Sequence, residues 1–355
     1  MTSCNNFLIA IFIFFKTNII LRKLPTKLNS MEGLPNIDLI QSLLENYMFD
    51  VDGAAAVAIC DRDGFIIASE SKEKGDHESD LVIGAISAFL DIYIDRIKSE
   101  YKTQSNFFNI TSMQDKKFAY CSMGPHCILT TIADPTTSNT ELRIYSEYIA
   151  GKVELILDGF DKVSTDIPEI IRVLSKRREG KLPKGQFTAK LILNGDFKVG
   201  KTSLIKRFVE NIFNEKYIST IGVEISKKSI VMDEDTSINF ILWDIGGQIG
   251  SMAPYRQRYY EGASAAFIVI DRTRPNNLES VKTWFKDIKT SVSRNIPIVI
   301  VGNKSDLQEE IVISEEEIKV VAKQLGFHYI LTSARTGENV NEAFLYIAYR
   351  FIEKA

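Results

Sequence analysis

The sequence is poor in cysteine and histidine, and this scarcity excludes several kinds of site. Its 355 residues include four cysteines and three histidines. Cys60, Cys121 and Cys127 lie in apolar runs without Cys-x-x-Cys spacing, which predicts buried free thiols in a reducing compartment. His126 next to Cys127 supplies two candidate ligands, fewer than the four of a structural zinc site.

The sequence also lacks a large excess of charge of either sign. Its 43 basic and 46 acidic residues leave a net charge of -3. A nucleic-acid-binding domain usually carries a strong basic field, so no nucleic-acid partner is expected. Any anionic ligand must therefore be held by local geometry.

The apolar run near the N-terminus is too short to cross a bilayer. Residues 7–15 are nine apolar residues, whereas a membrane span needs about 20. We expect residues 1–30 to lie outside the working fold of a cytoplasmic protein. An interfacial anchor on a membrane is the alternative, because Arg22, Lys23 and Lys27 follow the run. The last residues before Ala355 contain no cysteine, so no prenyl anchor is expected.

Chain length and hydrophobic patterning predict two domains, since a domain takes roughly 100–200 residues. Residues 31–160 read as a helix, two strands, a long helix, three strands and a helix, a pattern that favours an antiparallel sheet with helices packed on it. Residues 161–186 are expected to be a linker that holds a short helix at 167–174, with Pro168 near its start, followed by a charged run. Residues 187–355 form the second predicted domain.

The first domain resembles the roadblock family. The residues that carry the resemblance are 51–59, followed by Asp61-x-Asp63-Gly64 and the apolar residues 65–69. The resemblance implies an α+β, profilin-like module that forms a homodimer or docks on protein partners. Another sensor-like α/β module, such as a longin domain, is the alternative.

A glycine-rich motif opens the second domain between an apolar strand and a helix. It reads Gly195-Asp196-Phe197-Lys198-Val199-Gly200-Lys201-Thr202, followed by Ser203. This G-x-x-x-x-G-K-[ST] pattern lets backbone N–H groups surround phosphate oxygens at a helix N-terminus. Lys201 would place its charge on the phosphates, and Thr202 would offer a hydroxyl to Mg²⁺.

Four further motifs follow this loop in a fixed order. They are Phe213-x-x-x-Tyr217-x-x-Thr220, Asp244-x-x-Gly247-Gln248, Asn303-Lys304-Ser305-Asp306 and Ser333-Ala334-Arg335. Together with the glycine-rich loop they resemble the Ras superfamily of small GTPases across residues 187–353. The resemblance implies a doubly wound α/β sheet that binds GTP or GDP with Mg²⁺. Some segments look like the Rab branch and others like the Arf branch, so no branch is assigned.

The resemblance also implies a role for each motif. Asp306 would accept two hydrogen bonds from guanine, which adenine cannot donate, within a base site that includes Asn303 and Lys304. The loop Ser333-Ala334-Arg335 would read the guanine oxygen. Phe213 would pack against the base, with Tyr217 nearby, although both could be plain loop anchors.

The resemblance also implies which residues hold the Mg²⁺, the γ-phosphate and the attacking water. Thr202, Thr220 and Asp244 would be the metal site. Gly247 would bind the γ-phosphate, and Gln248 would orient the water, which makes Gln248, Thr220 and Lys201 the expected catalytic residues.

Three residues depart from the Ras pattern. Phe197 and Lys198 stand where Ras has glycines, and Ile249 replaces the acidic residue that commonly follows the glutamine. The ring of Phe197 would crowd the space that Gln248 and an activating arginine need. We therefore expect a GTP-hydrolysing switch with slow intrinsic turnover and with protein effectors and regulators. A GTP-binding scaffold with negligible hydrolysis is the alternative.

Overall fold

Five strands in the first half of the chain pair antiparallel into one sheet. The structure, a computed structural model, describes residues 36–72, 77–101, 107–124, 127–176, 182–214, 220, 222–233, 235–246 and 256–354. The strands are β1 (Ala54–Asp61), β2 (Ile66–Ser71), β3 (Phe108–Ser112), β4 (Lys117–Met123) and β5 (Cys127–Ala133), in the order β2-β1-β5-β4-β3.

Helices cover both faces of this first sheet. They are α1 (Ile37–Asp50), α2 (His77–Tyr101) and α3 (Asn139–Leu157). Successive residues of β1 alternate between the faces: Val57 and Ile59 join the core that contains α1 and α3, whereas Ala58 packs with Ile83 of α2. Because successive side chains of a strand point to opposite faces of the sheet, α2 covers one face and α1 and α3 cover the other.

One segment differs from the sequence-based expectation, and another is a helix as predicted. The polar residues 71–80 predict a loop, but α2 already begins there, at His77. Within the expected linker, the helix predicted from the spacing of residues 167–174 is present as α4 (Glu169–Ser175), which follows Pro168 and buries Ile170, Ile171 and Leu174. That part of the chain is a packed element, because its apolar side chains have the spacing of a helix face.

A second sheet of six strands occupies the rest of the chain. Its strands are β6 (Gly185–Asn194), β7 (Val223–Asp233), β8 (Thr236–Ile245), β9 (Ala265–Asp271), β10 (Ile298–Asn303) and β11 (His328–Leu331). The order is β11-β10-β9-β6-β8-β7, and all pairs are parallel except β7 with β8.

Helices lie on both faces of the second sheet. They are α5 (Lys201–Glu210), α6 (Arg256–Tyr260), α7 (Asn277–Ser291), α8 (Glu315–Leu325) and α9 (Val340–Ile352), with a 3-10 turn at Gln308–Glu310. Leu191 and Leu193 of β6 pack with α5 and α9, whereas Ile192 between them packs with α7 and α8. The predicted doubly wound α/β sheet is confirmed, including the buried parallel strand β9.

The hydrophobic core on one face of the second sheet continues into the first half of the chain. We call residues 36–176 the N-terminal module. Its helix α4 packs on α9 and β11, and Ile171 and Leu174 belong to the same buried cluster as Phe344 and Ile347. Asn36–Ala355 therefore form one compact unit.

Across the ranges given above, no helix combines the length and apolar character needed to cross a membrane.

Candidate functional site

The loop between β6 and α5 approaches two neighbouring segments so closely that only glycine fits at two of its positions. Gly195 has φ 144°, and a Cβ there would lie 2.2 Å from the carbonyl oxygen of Val269. Gly200 has φ 100°, and its Cβ would lie 2.3 Å from Nδ2 of Asn303. The two glycines therefore permit a tight loop at the start of α5, a geometry suited to phosphate.

Lys201 is the buried cation of this loop. Its ammonium donates to the carbonyl oxygens of Gly195 at 2.7 Å and Asp196 at 2.9 Å. Burial lowers the pKa of Lys201 to about 8, against the opposing effect of the carboxylates of Asp244 and Asp196. A phosphate group brought to this amine would compensate the buried charge.

Three oxygen side chains from separate segments meet beside Lys201. The Oγ1 atoms of Thr202 and Thr220 are 2.9 Å apart, and Thr220 Oγ1 donates to Asp244 Oδ2 at 3.1 Å. Thr202 also donates to Asp244, whose side chain is 2% exposed. The buried Oδ1 of Asp244 has no hydrogen-bond partner in the part of the chain that the structure describes. Two hydroxyls and a carboxylate are hard donors that fit Mg²⁺, and the free oxygen leaves a position for it.

Asn303 ties the glycine-rich loop to the loop after β11. Its Nδ2 donates to the carbonyl of Val199 at 2.9 Å, and its Oδ1 accepts from the Ala334 N–H and from Thr332 Oγ1, both at 3.2 Å. These bonds connect the ends of three parallel strands at one edge of the sheet. Asn303 thus stabilises the site by holding the glycine-rich loop and the loop after β11 together.

Asp306 and the Ser333 loop lie against each other. Ser333 Oγ donates to Asp306 Oδ1 at 2.6 Å, which orients the carboxylate. Arg207 of α5 supports the same loop by donating to the carbonyl of Ala334 at 2.9 Å and to that of Arg335. Lys304, at φ 68°, turns its ammonium to Asp271 Oδ2 at 2.5 Å.

The loops held by these contacts surround one cleft with a volume of about 440 Å³. The predicted site residues in its lining are Phe197, Lys198, Gly200, Lys201, Thr202, Ser203, Phe213, Thr220, Asp244, Asn303, Lys304, Asp306, Ala334 and Arg335. Their convergence follows from the parallel topology, because the carboxyl ends of neighbouring strands meet at one edge of a sheet.

Some predicted residues lie behind the cleft or outside the described ranges. Asp196 accepts from Asn277 Nδ2 at 2.7 Å and from Trp284 Nε1 at 2.9 Å, so its side chain anchors the loop to α7. Gly195, Val199 and Ser333 are buried next to the lining residues. Tyr217, Gly247 and Gln248 fall outside the described residues.

Sequence reasoning missed six lining residues: Lys206, Ile212, Asn214, Gly246, Arg274 and Leu307. Arg274 is the most informative of them. Its guanidinium donates to the carbonyl of Phe197 at 2.8 Å and pairs with Asp271 at 3.2 Å. Its position three residues after β9, at the same sheet edge, was the available signal.

Comparison with known proteins agrees with this geometry. A family model described as the Ras family matches residues 190–353. GTP-binding protein ypt5 of Schizosaccharomyces pombe is 39% identical over 162 residues, which cover 45% of this chain and 75% of the relative.

Two further relatives match the same part of the chain. Ras-related protein YPT3 of Nicotiana plumbaginifolia is 39% identical over 168 residues, covering 46% of this chain and 76% of the relative. Ras-related protein Rab-1 of Theileria parva is 38% identical over 166 residues, covering 46% and 74%. The chain therefore belongs to the Ras family, and it is a GTPase that binds GTP and GDP with Mg²⁺.

Proposed function

We propose that the cleft is the guanine-nucleotide site of a molecular switch, with the roles that the motifs predict. The loop 195–203 surrounds the phosphates, Lys201 supplies positive charge, and Thr202, Thr220 and Asp244 hold Mg²⁺. The bound metal would neutralise phosphate charge. The observation that carries the proposal is the meeting of this oxygen triad and Asp306 in one cleft.

Base recognition rests on Asp306 with Ser333 behind it. A carboxylate that Ser333 orients accepts two hydrogen bonds from guanine, whereas adenine offers no matching donors. Asn303 holds the base loop against the phosphate loop, so both halves of the nucleotide meet one rigid frame.

Exchanging the carboxylate for an amide tests this assignment. Asp306→Asn replaces one hydrogen-bond acceptor with a donor, so GDP should bind at least about a hundredfold more weakly. Xanthosine diphosphate has a carbonyl in place of the N2 amine of guanine, so its affinity for the variant should rise. Calorimetric titration with GDP, XDP and ADP measures this. Ser305→Ala is unsuitable as a control because Ser305 accepts a hydrogen bond from Arg272. Glu310→Gln, the same exchange of a carboxylate for an amide in the exposed 3-10 turn, serves instead. Unchanged GDP affinity in Asp306→Asn would contradict the assignment.

We further propose that the N-terminal module is roadblock-like and joins two copies of the chain. What supports this is an exposed apolar face on α2, formed by Phe89, Ile92 and Tyr93, which are 64%, 72% and 53% exposed. Phe65, 62% exposed, lies on the hairpin that Arg62 ties to Asp95 of the same helix. A contiguous apolar face of this kind favours association.

The oligomeric state tests this second proposal. The double variant Phe89→Glu, Ile92→Glu places charges on the face and should convert a dimer into a monomer in light scattering coupled to gel filtration. Phe49→Glu is the matched control, because Phe49 is 87% exposed on α1, on the opposite side of the sheet. A wild-type chain that stays monomeric at high micromolar concentration would overturn the dimer and leave docking of another protein to that face.

A further inference from the structure

A buried ion pair connects the N-terminal module to the base-reading side of the cleft. Lys152 of α3 pairs with Glu338, and the two side chains are 3% and 7% exposed. The ammonium of Lys152 also lies 5.5 Å from the centre of the Tyr148 ring. Glu338 belongs to the loop that begins at Ser333, so the pair reaches directly into the loop that faces the base.

A short chain of hydrogen bonds leads from this ion pair to Asp306. The backbone carbonyl of Glu338 accepts from the Ser333 N–H at 3.1 Å. The Ser333 hydroxyl then donates to Asp306 Oδ1 at 2.6 Å. The turn is closed by the Gly337 N–H, which donates to the Ser333 carbonyl at 2.9 Å. The position of Glu338 therefore determines where the Ser333 hydroxyl lies, and that hydroxyl orients the carboxylate.

Lys152 is the cation that permits this arrangement. Burial raises the pKa of Glu342, a second carboxylate at this contact, and the charge of Lys152 opposes that rise. Without Lys152, the buried carboxylate of Glu338 would lose its cation, and breaking one side of a buried pair is strongly unfavourable. Glu338 would then turn toward water, and its backbone would move away from Ser333.

A second contact holds the turn that follows Asp306, on the other side of the predicted base site. Lys162, which follows α3, pairs with Glu309 at 2.6 Å between Nζ and Oε1, and its carbonyl accepts from Gln308 Nε2 at 3.3 Å. Both residues belong to the turn just after Asp306. This pair is exposed, so it adds less than the buried one.

We propose that Lys152 is a positioning residue for guanine recognition, through which the N-terminal module sets how long the nucleotide stays bound. The proposal rests on the base-reading roles proposed for Asp306 and Ser333. Its consequence is control in cis: a shift of α3 away from Glu338 loosens the loop and speeds nucleotide exchange.

Nucleotide release from the full chain tests this. Fluorescent GDP and fluorescent IDP are loaded with Mg²⁺ and displaced by an excess of the unlabelled nucleotide. Inosine lacks the N2 amine that Asp306 binds, so GDP should leave the wild type more slowly than IDP. In Lys152→Met, GDP release should accelerate about tenfold and IDP release much less, so the ratio of the two release rates should move closer to one. Arg143→Met is the control, because Arg143 lies on the same helix in an exposed pair with Glu147.

The charge-swapped variant Lys152→Glu, Glu338→Lys separates positioning from folding. A GDP-to-IDP ratio near that of the wild type in the swapped protein supports the proposal, also where Lys152→Met fails to fold. The proposal is overturned by unchanged GDP release in folded Lys152→Met, by equal acceleration of GDP and IDP, or by a swapped protein whose ratio stays near one. Failure of the base site itself is recognised separately, because the wild type would then release GDP and IDP at the same rate.

Discussion

At the residue scale, Phe197 is the feature that most distinguishes this cleft from the general pattern. Its ring is half-buried in the cleft lining, and its carbonyl is held by Arg274. Phe197→Gly should raise the single-turnover rate of GTP hydrolysis by about tenfold to a hundredfold, because it frees the space that the Ras resemblance assigns to Gln248 and its water. The rate is measured as phosphate release after mixing with Mg²⁺. Phe49→Gly controls for loss of a phenylalanine elsewhere, and an unchanged rate in Phe197→Gly would remove the steric argument.

The buried amine of Lys201 gives the nucleotide-free protein a characteristic pH dependence. Since its pKa falls from 10.5 to about 8 on folding, the unfolded chain binds more protons within that window. Stability should therefore rise with pH across it, by up to about 3 kcal/mol from this group.

Urea unfolding between about pH 7.5 and pH 10 measures this dependence, with Lys201→Met as the comparison. The free energy of unfolding of Lys201→Met should not show the increase with pH that the wild type shows. Identical pH dependence of the two proteins would show that the amine is not held in a charge-disfavouring site.

The role of a residue could be predicted from the sequence where a motif requires a particular backbone geometry. The prediction was less reliable where the role depends on the direction in which a side chain points. Gly195 and Gly200 are required because the loop approaches Val269 and Asn303 closely. Asp196, by contrast, belongs to the same motif but points to Trp284, because α7 supplies donors that a motif does not reveal. Arg274 was missed for the same reason, since it comes from a different strand end.

At the element scale, α4 decides whether the segment between the two sheets is a linker or part of the core. Leu174 is fully buried among residues of both halves. Leu174→Ala should destabilise the protein by about 2–5 kcal/mol, because it removes buried apolar contacts and leaves a cavity. Val173→Ala, on the half-buried side of the same helix, should cost less.

Chemical denaturation followed by far-UV circular dichroism measures both variants. The two variants lie at adjacent positions of the same helix and introduce the same residue, alanine. A loss below about 1 kcal/mol for Leu174→Ala would mean that α4 is not packed in solution as described.

Most elements could be predicted because their patterns are local. The pattern Ser314-x-x-Glu317, for example, predicts a capping box, and the capping box is present at the start of α8. The start of α2 at His77 was missed, because the polar residues of its first turns look like loop. Patterning shows that α4 has an apolar face, but not that α9 and β11 are the surfaces it covers.

At the scale of the whole molecule, the two halves share a core. The buried cluster runs from Leu44 of α1 through Leu174 to Ile347 of α9. The sequence predicts two modules because each has its own alternation of strands and helices. It could not predict their contact, because the matching partners, such as Lys152 and Glu338, are 186 positions apart and neither belongs to a motif.

Mg²⁺-dependent phosphate release tests most directly the central claim, that this chain hydrolyses GTP in the cleft between the glycine-rich loop and Asp306. The purified chain is given GTP or ATP, with Mg²⁺ or with EDTA, beside Gln248→Leu. The account predicts slow release from GTP with Mg²⁺ only, none from ATP, and loss of release in Gln248→Leu. Release from ATP at the same rate, or release that Gln248→Leu leaves intact, would contradict it.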